Sequence, residues 1–295
     1  MKFKSLSILF FIILFVFNTN ASILDSVKTN KKRVAIVSGS LGLYFTASYL
    51  YVQNAWWGDI SEEFHFDTGN DLVYALNVDK AAHFFGGVYA SDLFSSSYRW
   101  AGVGETRSKW YGAAFGIGIQ LAIEFKDAYA PYWGFSKWDL GLGSAGALWP
   151  VLQNYYNPLR AVNFKFSYLK RSNIYWDLEA QRGKNPSKFS WFDDYPNQTY
   201  WMTLDLDKLA NNNLLPKWMD IAVGFGLDDT QYLSSGTKMG GNQELYIALD
   251  YDTNQILKKW NTTLAKKIKF ILKYYKLPAP TIQFFPKINL LPFFM

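Results

Sequence analysis

No cysteine occurs in the 295 residues. Its absence excludes disulfides, thiolate metal sites, a cysteine nucleophile and an amino-terminal cysteine that carries lipid. An exported chain of this kind holds together by packing alone. Several signatures of known chemistry are also missing: there is no G-x-S-x-G elbow, no phosphate-binding P-loop and no H-E-x-x-H zinc motif. The single G-x-G-x-x-G, Gly141 to Gly146, follows no strand pattern and lies in no β-α-β unit, so no nucleotide cofactor is expected. Histidine is limited to His65 and His83. Charge is nearly balanced, with 30 basic against 24 acidic side chains and a net charge of +6. The lysines form no stripe with base-reading partners, so nucleic acid is not an expected partner, and the surplus suits an anionic membrane surface better.

Aromatic residues are abundant, at 19% of the chain. Such enrichment fits a membrane interface or a lipid- or carbohydrate-facing surface, and it fits an aromatic core equally. The first 21 residues have the form of a signal peptide. Lys2 and Lys4 precede the apolar run Leu6 to Phe17, and small residues before Ala21 offer a cleavage site. The mature chain is then expected outside the cytoplasm, in the bacterial cell envelope.

Residues 22–158 read as a helical, membrane-associated domain. Val34 to Val52 carries no charge and is long enough for a membrane-embedded helix, although Ser38, Ser40, Thr46 and Ser48 suit a buried bundle helix as well. Trp56 and Trp57 follow where an interface belt would sit. Three further helices are expected over Asp79 to Tyr98, Ser108 to Asp127 and Trp138 to Tyr155, with Pro150 kinking or ending the last. Small residues spaced four apart, Gly112 with Gly116 and Gly143 with Ala147, allow close approach of helix backbones.

Residues 159–295 read as a strand-rich region. Alternation marks strands over Asn163 to Leu169, Thr199 to Leu206, Ile221 to Phe225 and Glu244 to Tyr251, with closing strands over Thr281 to Phe285 and Ile288 to Phe294. Asn211 to Asn213 and Gly236, Gly240 and Gly241 mark loops. Thr253 to Lys276 has the period of one basic amphipathic helix, packed on the sheet or lying on an anionic membrane. The fold class is α+β: about four glycine-rich helices, then an antiparallel sheet. A complete outer-membrane barrel would need about eight strands, more than this region offers.

Asp79, His83, Glu124, Asp127 and Asp139 stand out, because charge among small and aromatic neighbours is costly unless paired, solvated or functional. Asp79 and His83 lie four apart on one helix face, and Gln120, Glu124 and Asp127 share another. Asp139 opens its helix, where a carboxylate complements the helix dipole. Converged, these side chains would hold a divalent cation, form a general acid/base pair, contact a headgroup or fix helix register as a polar network. His65, a loop residue with acidic neighbours, is expected to be exposed and unliganded.

Asp79-Lys80 with His83-Phe84, Gln120 with Glu124, and Trp133-Gly134-Phe135-Ser136 with Asp139 resemble the D-K-x-x-H, Q-x-x-x-E and W-G-F-S-x-x-D elements of the YfiM-like family. That family comprises uncharacterised bacterial envelope proteins (domain of unknown function 2279). Asp194 to Trp201, Pro216-Lys217-Trp218, Gly224-Phe225-Gly226 and Pro278 to Thr281 resemble further blocks of its long Bacteroidetes-type members. The helical part is distantly similar to VanZ-like membrane proteins. Short YfiM-like members are regarded as lipoproteins, from which this cysteine-free chain departs. The resemblance implies an envelope location, periplasm-facing or at the outer membrane, and singles out Asp79, His83, Glu124 and Asp139. It implies no reaction. Two functions are therefore expected in contention: a non-enzymatic membrane-associated or lipid-facing module, and a hydrolase or transferase acting on a lipid or cell-wall precursor through a His/carboxylate site.

Overall fold

The computed structural model describes residues 29–55, 63–67, 71–130, 133–174, 194–210, 216–229 and 242–295. The expected signal peptide, Trp56, Trp57, the Asn211 to Asn213 loop and the glycines 236, 240 and 241 lie outside these residues. Four long helices come first: α1 (Lys31–Ala55), α2 (Val78–Trp100), α3 (Glu105–Asp127) and α4 (Lys137–Tyr155). Among the described residues no helix is long and apolar enough to cross a membrane. The expectation of a membrane-embedded helix over Val34 to Val52 is corrected accordingly: α1 forms there, but its serines, threonine and glycines dilute its apolar content.

Helices α2, α3 and α4 pack on one another. Backbone contact at small residues makes this possible. A Cβ on Gly87 would run into the Gly143 carbonyl, one on Gly112 into the Ser91 carbonyl, and one on Gly146 into the Phe84 carbonyl. Helix α4 continues through Pro150 to Tyr155, so Pro150 does not end it. Helix α1 lies outside this trio, and its Val37 and Leu41 are buried against Ala90, Phe94 and Tyr98 of α2.

Six strands then form one antiparallel sheet in chain order: β1 (Val162–Tyr168), β2 (Gln198–Asp205), β3 (Met219–Leu227), β4 (Gln243–Tyr251), β5 (Ala279–Phe285) and β6 (Asn289–Phe294). Short α5 (Leu206–Ala210) follows β2. The helix expected over Thr253 to Lys276 is two, α6 (Thr253–Ile256) and α7 (Thr263–Lys273). The Thr262 cap divides it, with Thr262 Oγ accepting from Ala265 N, while the Asp252 carboxylate accepts from the Asn254 and Gln255 amides at the start of α6. The Thr262 cap satisfies an amide that a continuous helix would bond internally, so it starts a new helix.

The sheet curls. Trp201 on β2 and Phe294 on β6 have ring centroids 6.2 Å apart. Four strand spacings on a flat sheet would separate them by about 19 Å. The concave face is largely buried and sets charged and polar side chains around an apolar cluster of Trp201, Ala222, Tyr246, Ala248 and Phe294. Lys165 Nζ lies 2.6 Å from the Asp250 carboxylate, and Arg171 lies 2.8 Å from Glu244. Lys276 is 0% exposed and donates to the Leu249 carbonyl at 2.9 Å. The convex face is apolar. Its β1 end packs on α2, with Phe84 against Phe164 at 4.7 Å and Phe85 against Phe166 at 5.9 Å.

Candidate functional site

The site forms where α2, the start of α4 and the end of α3 meet. The chain enters α2 through Ala75, Leu76 and Asn77, three consecutive residues with φ of 47°, 48° and 68°. Left-handed backbone costs a non-glycine residue about 1–2 kcal/mol. Ala75 is packed with Val78, Tyr195 and Leu227, and the Leu76 carbonyl accepts from Gln243 at 2.9 Å, so the sheet holds this turn. The turn separates Asp71 from Lys80 in the chain while leaving them in contact.

Lys80 is 5% exposed. Its ammonium donates to Asp71 Oδ1 at 2.5 Å, Asp79 Oδ2 at 2.9 Å and Asp139 Oδ2 at 3.2 Å. Ser136 joins the group from the other side. Its Oγ lies 2.8–2.9 Å from both Asp71 oxygens and accepts from Asp139 N at 2.9 Å, capping α4. The Ser136 amide donates to Glu124 Oε2 at 2.9 Å. One N-cap serine thus ties two acidic side chains, Asp71 and Glu124, to the first turn of α4.

His83 sits one turn beyond Asp79 with 19% of its side chain exposed. Its Nδ1 meets Gln120 Oε1 at 2.8 Å. Gln120 presents an acceptor there, so the ring donates from Nδ1 and the neutral imidazole keeps its lone pair on Nε2. Glu124 Oε1 stands 3.9 Å from Nδ1, beyond hydrogen-bond length.

His83, Glu124 and Asp139 each offer a ligand atom, and these atoms lie within 4.8 Å of one another. Glu124 Oε1, Asp139 Oδ1 and Asp79 Oδ1 are buried without a hydrogen-bond partner. Asp139 Oδ1 is 3.0 Å from Lys80 Nζ, but without hydrogen-bond geometry. Four carboxylates therefore surround one lysine and one imidazole. The deficit of positive charge appears in the acidities. Burial pushes the Glu124 carboxyl up to about 8, against the opposing pull of His83 and the Ser136 amide. Burial likewise pushes Asp79 up to about 6, although Lys80 opposes it. For His83, burial disfavours the imidazolium, but Asp139, Glu124 and Gln120 outweigh it and raise its pKa. Protons fill the role that a further cation would fill.

Of the expected site residues, the fold brings His83, Glu124 and Asp139 together and sets Asp79 beside them on Lys80. Asp127 is half-buried one turn past Glu124, whose acidity it influences, and it is not among the three converging ligands. His65 departs from expectation. It is half-buried, with Nε2 2.6 Å from the Trp133 carbonyl and Nδ1 3.0 Å from that of Glu63. Its segment pairs with residue 135, so the ring fastens one loop to another. Asp71 and the second tether on Ser136 went unrecognised in the sequence. Asp71 lies in an irregular connection with no period to flag it. A second buried cluster was also missed: Asp92 accepts from Lys109 at 2.9 Å, Lys273 at 2.8 Å and Tyr274 at 2.6 Å, joining α2 to α7.

No curated protein and no solved structure matches the chain. The 295 residues hold no cysteine on which a lipid could be carried. Residues 66–155, the stretch that supplies Asp71, Asp79, Lys80, His83, Gln120, Glu124, Ser136 and Asp139, match the model of a family described as predicted periplasmic lipoprotein (DUF2279), in agreement with a place in the cell envelope.

Proposed function

We propose that this envelope protein is a membrane-associated, non-enzymatic module whose helical domain binds a divalent cation through His83, Glu124 and Asp139. The observation that carries the cation site is a pair of buried oxygens that accept no hydrogen bond, Glu124 Oε1 and Asp139 Oδ1, within 4.8 Å of each other and of a His83 nitrogen. Neighbouring donor atoms stand about 3–3.5 Å apart around zinc or magnesium, and donors on opposite sides of calcium about 4.8 Å apart. The 4.8 Å limit is within the reach of calcium, and a smaller ion would draw the side chains closer together. One imidazole with carboxylates suits a hard or borderline cation. Gln120 is the outer partner that fixes the ring tautomer of His83.

A second function is favoured by one specific feature. Glu124, held protonated by burial up to about 8, stands beside a partly exposed imidazole. Such a pair suits general acid/base work in a hydrolase or transferase on a lipid or cell-wall precursor. Metal content tests the cation site. After dialysis against Mn(II), Zn(II) or Ca(II), the protein should retain about one equivalent of one of these ions, lost in Glu124→Gln and Asp139→Asn while circular dichroism stays unchanged. Retention unaffected by either substitution, or no retention by the unaltered protein, would overturn the cation site.

A further inference from the structure

The sheet buries charged side chains on its concave face, around the apolar cluster of Trp201, Ala222, Tyr246, Ala248 and Phe294, and leaves its convex face apolar. Strand alternation assigns Lys165, Asp205, Asp220, Glu244 and Asp250 to the concave, buried face. The convex positions of β1 to β4 carry no charged residue, and Gln198 and Gln243 at one end are their only side-chain amides. One apolar row crosses the sheet in register, from Met202 through Val223, Ile247 and Ile282 to Leu290. Helix α2 covers the β1 end of this face through Phe84 and Phe85. Beyond it Ile247 is 48%, Ile282 45% and Leu290 75% exposed.

We infer that the uncovered convex face docks on the hydrocarbon of an anionic lipid bilayer. Burying a polar face and exposing an apolar one is the polarity of sheets that face lipid. A protein partner is a poorer fit, because interfaces between proteins are on the whole about as polar as the rest of the surface. The ends of the face carry the residues that lipid headgroups select. Trp218 stacks on Tyr251 at one end, and exposed Lys217, Lys258, Lys259 and Trp260 lie nearby in the chain. Phe285 at the end of β5 and Lys287 and Ile288 in the turn after it lie exposed at the other. Aromatic rings settle at the headgroup level, and the lysines complement anionic phosphate. The sheet lies on one leaflet and does not span. Spanning requires a closed barrel, and β6 pairs with β5 alone among the described strands and contains Pro292. This deepens the membrane-associated half of the proposed function and does not depend on the cation site.

The cysteine-free chain permits a single reporter. Ile247→Cys and, as a control on α3, Glu105→Cys are labelled with nitrobenzoxadiazole and mixed with vesicles of phosphatidylethanolamine and phosphatidylglycerol. The Ile247 label should shift to the blue and be quenched by bromines on the acyl chains, and the Glu105 label should do neither. Flotation with the vesicles should weaken about tenfold or more for each of Ile247→Glu and Ile282→Glu, the loss expected when a large aliphatic side chain no longer leaves water. These exposed sites leave folding intact, which circular dichroism checks. Binding without quenching at Ile247 would overturn the docking face while leaving membrane association standing. Failure of the unaltered protein to float would overturn both. A shift at Ile247 that follows protein concentration without vesicles would assign the face to a second copy and overturn the inference.

Discussion

Lys80→Met removes the single ammonium shared by Asp71, Asp79 and Asp139 and leaves a side chain of similar length in its place. Asp79 is 3% and Asp139 8% exposed, so water reaches neither well enough to replace the lost partner. Breaking a buried ion pair from one side costs about 3–5 kcal/mol, because the remaining charge stays desolvated. With a urea slope of about 2 kcal/mol/M, the unfolding midpoint at pH 8 should fall by about 2 M. The pH dependence carries the sign. Asp79 already titrates near 6 beside Lys80, and without the ammonium its carboxyl moves higher still. At pH 5 the folded variant therefore takes up protons that the unfolded chain releases, and much of the loss should disappear. Urea unfolding followed by tryptophan fluorescence at the two pH values tests this. A loss under about 1 kcal/mol at pH 8, or an equal loss at both, would mean that the carboxylates are hydrated and the buried network is misjudged.

Two further outcomes follow from other parts of the fold. Gly146→Ala should destabilise by about 1–3 kcal/mol or more by forcing α4 off the Phe84 carbonyl, whereas Gly141→Ala, whose added methyl meets nothing within 4 Å, should be neutral or mildly stabilising; thermal unfolding of the pair gives the comparison, and equal midpoints would refute the close approach. On the concave face Asp220 is directly opposed by Asp205 and Asp250, and burial together with these neighbours raises it from 3.8 to about 7. The folded chain then holds a proton between about pH 4 and 7 that the unfolded chain has released, so this residue's contribution to stability is lost as pH rises through 7. Asp220→Asn should stabilise on the order of 2–4 kcal/mol at pH 8 and change little at pH 4, as read by denaturant unfolding. No difference between the two pH values would contradict the buried position of its carboxyl.

Much of this architecture is legible in the sequence because it is periodic. Alternation placed all six strands within a residue or two, and spaced small residues marked the helix faces that meet. What periodicity omits is equally specific. It does not distinguish which face of a strand is inside, so the polar interior around Lys165, Asp250 and Lys276 and the bare apolar exterior were both unreadable. An apolar stripe continues across Leu257 to Thr262, although the Thr262 cap breaks the helix there. Asp79, His83, Glu124 and Asp139 were legible as charges among small neighbours on helices. Asp71 was not, because a left-handed turn and not a repeat delivers it to Lys80.

The central claim is that Glu124 and Asp139 present oxygens free of hydrogen bonds to a shared point beside His83. Diffraction from crystals soaked in manganese(II), recorded where manganese scatters anomalously, tests it most directly. The account predicts one anomalous peak within bonding distance of Glu124 Oε1, Asp139 Oδ1 and a His83 ring nitrogen, absent from Glu124→Gln crystals. A site without manganese in the unaltered protein, or a peak that persists in the Glu124→Gln crystals, would contradict it.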